Sequence, residues 1–180
     1  MVKIYQHTHD YDYSWPIVSF AFWLRYPNPF ASHVLGSDVI DRYIDNEGIL
    51  HTTRIILKKG KLPKWGENLI KTPEAYIIEE TTVDPKNQIL VSKTKNLNHA
   101  RVMKVEETQT FKVSSKNKEW TSVKTEARII SRIGWGITSA VERFGINKFE
   151  KNTVKARMGM SYILERIREG KRSFHFENGL

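Results

Sequence analysis

The chain has 180 residues, of which 39% are hydrophobic and 27% are charged. This composition predicts one globular domain with a buried core, and the lack of an apolar run of about 20 residues excludes a membrane-spanning helix. We expect no secretory signal at the start, and the absence of cysteine excludes disulfides and thiolate-bound clusters.

The net charge is +9, and residues 91–180 hold 19 Lys/Arg against 9 Asp/Glu. Such a basic half suggests an anionic partner: a nucleic acid, an acidic membrane or a phosphorylated small molecule.

The first elements in chain order are a short strand and a helix. The strand is predicted over Val2–Thr8. Ser14 is a suitable N-cap and Pro16 fits a first helical turn. Apolar residues at helical spacing continue to Arg25, and the following Tyr26-Pro27-Asn28-Pro29 ends the helix, because a residue before proline is disfavoured in the α region.

The middle of the chain has the period-2 patterns and turn residues of a sheet. Six strands are predicted: Val34–Asp45, Leu50–Lys58, Ala75–Val83, Gln88–Lys95, Arg101–Val113 and Trp120–Ile130. Short turns between consecutive strands favour an antiparallel meander. The last predicted element is a helix over Ile137–Glu169. The predicted fold is α+β: a curved antiparallel sheet of about six to seven strands, closed by a long C-terminal helix, around a packed core or a ligand cavity.

Basic residues interrupt faces that are otherwise apolar. Lys148 and Lys155 are seven residues apart on the long helix, in line with Val141. Arg54 and Lys58 share one face of a strand, and Arg25 extends the apolar stripe of the first helix. Burying an unpaired cation costs several kcal/mol, so repeated inward cations indicate an anionic ligand. The alternatives are that the lysines extend along the helix flank and that Arg54 pairs with an acidic residue of a neighbouring strand.

The segment from Gly60 to Thr72 is too long for a tight turn and alternates apolar and basic residues. Amphipathic loops of this kind serve as lids or membrane contacts. The residues predicted for that role are Leu62, Lys64, Trp65, Leu69, Ile70 and Lys71. The alternative is a surface loop whose tryptophan packs on the domain.

No motif for catalysis is present. The sequence has no glycine-rich phosphate loop, no HExxH and no GxSxG. His7 and His9 would share a face of a strand, but no third metal ligand has a matching spacing. We therefore expect no catalytic residues, no metal site and no cofactor.

Several long segments together resemble the PRELI-like (slowmo-related) lipid-transfer proteins of the mitochondrial intermembrane space. They are AFWLRYPNPFASHVL (21–35), KLPKW (61–65), VDPKNQ (83–88), NLNHARVMKVEE (96–107), SRIGWGITSAVERFG (131–145) and NKFEKNTVKARMGM (147–160). The resemblance covers residues 1 to about 170 as one lipid-transfer domain and leaves 171–180 as a flexible tail. HVL, LPKW and NHARVMKVEE are similar to the branch of the family that carries phosphatidic acid.

The resemblance implies a START-like fold around a lipid tunnel and transfer of phosphatidic acid from the outer to the inner mitochondrial membrane, for cardiolipin synthesis. It also implies a carrier rather than an enzyme, reversible binding to anionic membranes, and peripheral association with the inner membrane. The implied partner is a small helical protein with twin Cys-x9-Cys motifs, bound as a heterodimer. The family's headgroup positions correspond to Arg25, His33, Arg54, Lys58, Lys61, Lys148 and Lys155.

Two other functions stay open at this point. A basic sheet that binds phosphates is also typical of nucleic-acid-binding modules, and a cavity filled by core side chains would favour an assembly factor that transfers no lipid. A tunnel with a cationic floor and apolar walls is the feature that separates lipid transfer from both.

Overall fold

The computed structural model describes residues 2–60, 70, 72–131, 133 and 138–177, with residues 171–177 described by their backbone alone. The strands are β1 (Val2–Tyr11), β2 (Val34–Ile44), β3 (Leu50–Lys59), β4 (Glu74–Asp84), β5 (Ile89–Asn96), β6 (Lys104–Val113) and β7 (Thr121–Ile130). The helices are α1 (Trp15–Trp23), a 3-10 turn (Pro29–Ala31) and α2 (Thr138–Glu177).

The described strands form one antiparallel sheet of seven strands in the order β1-β7-β6-β5-β4-β3-β2. Strands β2 to β7 follow each other as a meander, and β1 closes the series by pairing with β7. The curved antiparallel sheet and the long closing helix confirm the predicted α+β class. Each predicted strand agrees with an observed one to within three residues.

Helix α1 covers one end of the sheet's inner face. Its buried residues Trp15, Val18 and Phe22 join a core cluster with Leu90 and Phe111 of the sheet. The indole Nε1 of Trp15 donates a hydrogen bond to the carbonyl of Phe111 at 3.2 Å, and the Phe22 and Phe111 rings lie edge to face at 5.5 Å. This end of the interior is therefore packed with aromatic and aliphatic side chains.

Helix α2 lies across β1, β7, α1 and the 3-10 turn. Two glycines allow the helix to approach its neighbours closely. A Cβ at Gly145 would lie 2.5 Å from Met103 Sδ and 2.8 Å from Ile129 Cγ2, and a Cβ at Gly159 would lie 2.8 Å from the side-chain atoms of Asn28. The backbone of α2 is thus in direct contact with the sheet and with the turn that follows α1.

The helix continues beyond its predicted end at Glu169 to Glu177, and residues 178–180 lie outside the described residues. The tail predicted at 171–180 stays a prediction. Within the described residues, no helix is both long and apolar enough to cross a membrane.

Candidate functional site

The register of the sheet lines up polar residues in rows across its inner face. One row, called here the charged row, runs from Arg54 through Glu79 and Thr94 to Glu107. A neighbouring row contains Thr52, Thr81, Ser92, Gln109 and Thr125. Directly opposed residues of antiparallel strands lie on the same face, so the middle of the interior is polar.

Apolar residues lie on both sides of these polar rows. Toward α1 the residues are Val83, Leu90, Phe111 and Val123, which belong to or contact the core cluster. On the other side, Ile56 pairs with Ile77 and Val105 pairs with Ile129. The second apolar group lies on the inner face next to the charged row and away from the packed core.

Glu79 is the centre of a buried ion-pair group. Its side chain is 0% exposed and pairs with both Arg25 and Arg54. Oε2 accepts from Nη2 of Arg25, while Oε1 accepts from Nη2 of Arg54 and from its Nε at 2.8 Å. Both guanidinium groups lie over the ring of Phe22, at 3.8 Å for Arg25 and 5.3 Å for Arg54. The two cations are held by one carboxylate and an aromatic face.

The arginines decide the charge state of Glu79. Burial alone would raise the pKa of this carboxyl, but the fields of Arg25 and Arg54 and their hydrogen bonds outweigh burial and lower it below the ordinary value. Glu79 is therefore a carboxylate at neutral pH. Two cations against one anion leave this buried group with a net positive charge.

Lys58 adds a further cation to the same interior. Together with Arg25, it lowers the pKa of the Tyr26 phenol, which burial alone would raise. Lys58 also acts on Glu107 of the charged row, whose pKa burial raises. Among the described residues, no ion pair neutralises Lys58. Its ammonium is available to an incoming anion.

His33 marks where the interior meets helix α2. Its carbonyl accepts a hydrogen bond from the backbone N–H of Lys59 at 2.8 Å, which fixes it beside the end of β3. Burial lowers the pKa of the imidazole, and the charges of Lys58, Lys155 and Lys148 lower it further. Lysines from two separate elements therefore act on one imidazole.

The structure brings six of the seven predicted headgroup residues into two adjoining groups. Arg25, Arg54 and Lys58 lie in the interior, and His33, Lys148 and Lys155 lie at its edge. The seventh, Lys61, lies outside the described residues, as do Leu62, Lys64, Trp65, Leu69 and Lys71 of the predicted lid. Ile70 is described and is partly buried. The roles assigned to all these residues stay predictions.

Two details differ from the expectation of unpaired inward cations. Arg54 pairs with an acidic residue of the neighbouring strand, which was the alternative, and Arg25 shares that partner. Lys148 and Lys155 are exposed. A straight α-helix drifts about 20° per heptad, so residues seven apart turn gradually from the buried side, where Val141 lies, to the flank.

Sequence reasoning missed three residues of the site: Glu79, Glu107 and Tyr26. Alternation with Ile77 and Thr81 does place Glu79 on one face of its strand, but the opposite face also carries an isoleucine, Ile78. The face that points inward was therefore undecided. The surplus of inward cations was the available signal, because each buried cation needs a partner.

His7 and His9 belong to another part of the molecule. The Arg157 guanidinium contacts the His7 ring nitrogens at 3.0 and 3.1 Å. In the described part of the chain, no three His, Asp or Glu side chains are grouped so as to hold a metal ion.

The seven-stranded antiparallel sheet and the long closing helix define a START-like fold. An aromatase/cyclase from Streptomyces sp. R1128 shares this fold with a TM-score of 0.63 at 10% identity, over 92% of this chain and 95% of that chain. At this identity the likeness concerns the fold alone.

The PRELI-like family model matches residues 17–170, and the chain belongs to this family. It is 38% identical over 172 residues to "Protein UPS1, mitochondrial" of Saccharomyces cerevisiae, covering 95% of this chain and 98% of that protein. It is also 38% identical over 152 residues to "Protein ups1 homolog" of Schizosaccharomyces pombe, covering 84% of this chain and 89% of that protein.

Proposed function

We propose that this chain is a carrier that transfers phosphatidic acid between the outer and inner mitochondrial membranes and so supplies cardiolipin synthesis. The observation that carries the proposal is the convergence of Arg25, Arg54, Lys58, Lys148 and Lys155 on one interior and its edge. Arg25 and Arg54 act on the carboxyl of Glu79, and Lys58 and Arg25 act on that of Glu107. This excess of cations favours an anionic ligand.

A carrier is needed because the lipid does not cross water by itself. Two acyl chains with about 30 methylenes, at about 0.8 kcal/mol each, would cost roughly 25 kcal/mol to expose. Two apolar residues beside the charged row, Ile77 and Val105, keep accessible surface on which acyl chains can be buried instead. The phosphate would then lie against the charged row.

Selectivity for phosphatidic acid is expected from size and charge. Its bare phosphomonoester presents oxygens to the guanidinium N–H groups and to Lys58. A choline or ethanolamine group would bring a positive charge into an interior that already has an excess of it. No covalent step is part of this proposal, and the protein acts as a binding protein rather than an enzyme.

The relative named "Protein UPS1, mitochondrial" supports a mitochondrial location, and we propose the intermembrane space with reversible binding to anionic inner-membrane surfaces.

We also propose a small helical partner protein with twin Cys-x9-Cys motifs. Exposed apolar side chains on α1, at the residue that follows it and on β2 support a protein partner, because surfaces of this kind are commonly covered. They are Phe20, Leu24, Val39, Ile40 and Ile44.

The test is lipid transfer between donor and acceptor vesicles, with phosphatidic acid, phosphatidylserine and phosphatidylcholine labelled in parallel. We expect transfer of phosphatidic acid only, and a loss of at least tenfold in the Lys58→Glu variant. Lys112→Glu is the matched control, because Lys112 is exposed on the other face of the sheet. Equal transfer of all three lipids, or full activity of a folded Lys58→Glu protein, would contradict the proposal.

A further inference from the structure

Glu107 is an interior carboxyl that the proposed function leaves unused. It lies on β6 in the charged row, separated from Glu79 by Thr94 of β5. Glu79 is fully buried, whereas Glu107 keeps accessible surface although it faces the interior. Gln109 donates a hydrogen bond from Nε2 to Oε1 of Glu107 at 2.8 Å. Oε2 is therefore the oxygen that remains for a proton or a ligand.

The charges that face Glu107 come from three other elements. Lys58 belongs to β3, Arg25 follows α1, and Glu79 belongs to β4. Burial raises the pKa of Glu107, the two cations and the hydrogen bond from Gln109 oppose this effect, and the negative charge of Glu79 adds to it. In the described part of the chain, no ion pair joins Glu107 to a cation. The two carboxyls of the row thus differ: Glu79 is held as a carboxylate by two arginines, and Glu107 is not.

A phosphate held by Lys58 and Arg25 would lie near Glu107, because these two cations also act on Glu107. An ionised Glu107 would repel that phosphate, whereas a protonated carboxyl can donate a hydrogen bond to a phosphate oxygen. We propose that Glu107 is a proton-linked binding residue of the headgroup site. It takes a proton from solvent onto Oε2 when the phosphate enters and returns that proton when the phosphate leaves.

This inference rests on the proposed function and adds a pH dependence of lipid loading and release to it. Loading of the lipid is favoured at lower pH and release at higher pH, because binding and protonation of Glu107 promote each other. The effect is largest for a phosphomonoester, since this group can carry more negative charge than a diester. The carboxyl thereby contributes to selectivity as well as to pH dependence.

The test compares the wild type with Glu107→Gln, which keeps a hydrogen-bond donor and removes the titration. Glu106→Gln is the matched control. Glu106 immediately precedes Glu107 on β6, lies on the outer face of the sheet and pairs with Lys104 at 2.6 Å. The probe is soluble dihexanoyl phosphatidic acid, which avoids membrane docking. Calorimetry between pH 5 and pH 8.5, in buffers of different ionisation enthalpy, gives the affinity and the protons taken up.

We expect Glu107→Gln to bind as tightly as the wild type at pH 5 and about tenfold more tightly at pH 8.5, the effect of a pKa change of about one unit. Proton uptake in the variant should be lower than in the wild type and in Glu106→Gln. Titration of phosphate oxygens and of His33 is common to all three proteins, so the differences report on Glu107.

A second measurement needs no variant at position 107. Carbon-13 NMR of the glutamate carboxyls in the wild-type protein follows Glu107 directly, and we expect its pKa to rise when the lipid binds. Binding of phosphatidic acid with identical pH profiles in all three proteins, or an unchanged Glu107 pKa on binding, would overturn this inference and leave the proposed function intact. No binding of phosphatidic acid by any of the proteins would overturn both.

Discussion

The arginines of the interior differ from ordinary surface cations because they share one buried carboxylate. Glu79 accepts hydrogen bonds from Arg25 and Arg54 and is itself 0% exposed. A buried pair of this kind adds little net stability, yet removing one partner leaves a buried charge without compensation. Sequence patterns identified both arginines as site residues but did not identify Glu79. The alternation of side chains along β4 does not show which of its two faces points to the interior.

Replacing Glu79 by glutamine should therefore destabilise the protein. We expect a loss of about 3 kcal/mol in the free energy of unfolding, since two buried guanidinium groups would lose their only shared anion in this group. Urea unfolding measures the change. Glu80→Gln is the control, because Glu80 is exposed on the opposite face of β4; it should cost less than about 0.5 kcal/mol. Equal losses of unfolding free energy in the two variants would show that the ion-pair group does not stabilise the fold.

His33 should report the arrival of an anion at the edge of the interior. Its pKa is lowered by burial and by three lysine charges, so the neutral imidazole is favoured. A bound phosphate adds negative charge among those lysines and should raise the His33 pKa. Imidazole NMR with and without dihexanoyl phosphatidic acid measures the shift. His9, whose pKa is lowered by burial and by the charge of Arg157, lies in another part of the molecule and is the internal control. A His33 pKa that stays constant or falls would place the phosphate elsewhere.

Among the secondary-structure elements, the meander was the most predictable part, because each strand pairs with its neighbour in sequence. The pairing of β1 with β7 joins Val2–Tyr11 to Thr121–Ile130, and no local sequence pattern indicates which distant strand pairs with β1.

The segment NLNHARVMKVEE was part of the family resemblance, and some of its residues have a structural role. Asn96 donates to the carbonyl of Met103 at 3.0 Å and accepts from the N–H of Val105 at 2.8 Å, so it holds the β5–β6 connection.

Helix α2 allows a direct test of close packing against helix propensity. Alanine is favoured over glycine inside a helix by up to about 1 kcal/mol. At Gly145 the new Cβ would overlap Met103 and Ile129 at 2.5 and 2.8 Å, whereas nothing lies within 4 Å of the position at Gly170. We expect Gly145→Ala to lower the thermal midpoint and Gly170→Ala to raise it slightly. A stabilised Gly145→Ala protein would mean that α2 lies farther from the sheet than its packing indicates.

In the whole molecule, the cationic side chains lie in two separate regions, the surface and the interior. Exposed cations such as Lys148 and Lys155 are in contact with water, while Arg25 and Arg54 are largely enclosed, with 14% and 7% of their side chains exposed. The surplus of cations in residues 91–180 was evident from the sequence, but the enclosed arginines come from the first half of the chain. The division of the cations between surface and interior was not evident, because it depends on how the strands and α2 come together.

This division predicts that salt affects docking and headgroup binding to different extents. The Debye length falls from about 30 Å at 0.01 M to about 8 Å at 0.15 M salt, and enclosed charges are screened less than exposed ones. Over this range we expect sedimentation with anionic vesicles to fall by at least tenfold, and the affinity for dihexanoyl phosphatidic acid to change by less than about threefold. Phosphatidylcholine vesicles, which carry no net charge, are the control and should bind weakly throughout. A parallel decline of vesicle binding and lipid affinity would mean that the phosphate is bound by exposed lysines at the protein surface, and that the enclosed arginines only stabilise the fold.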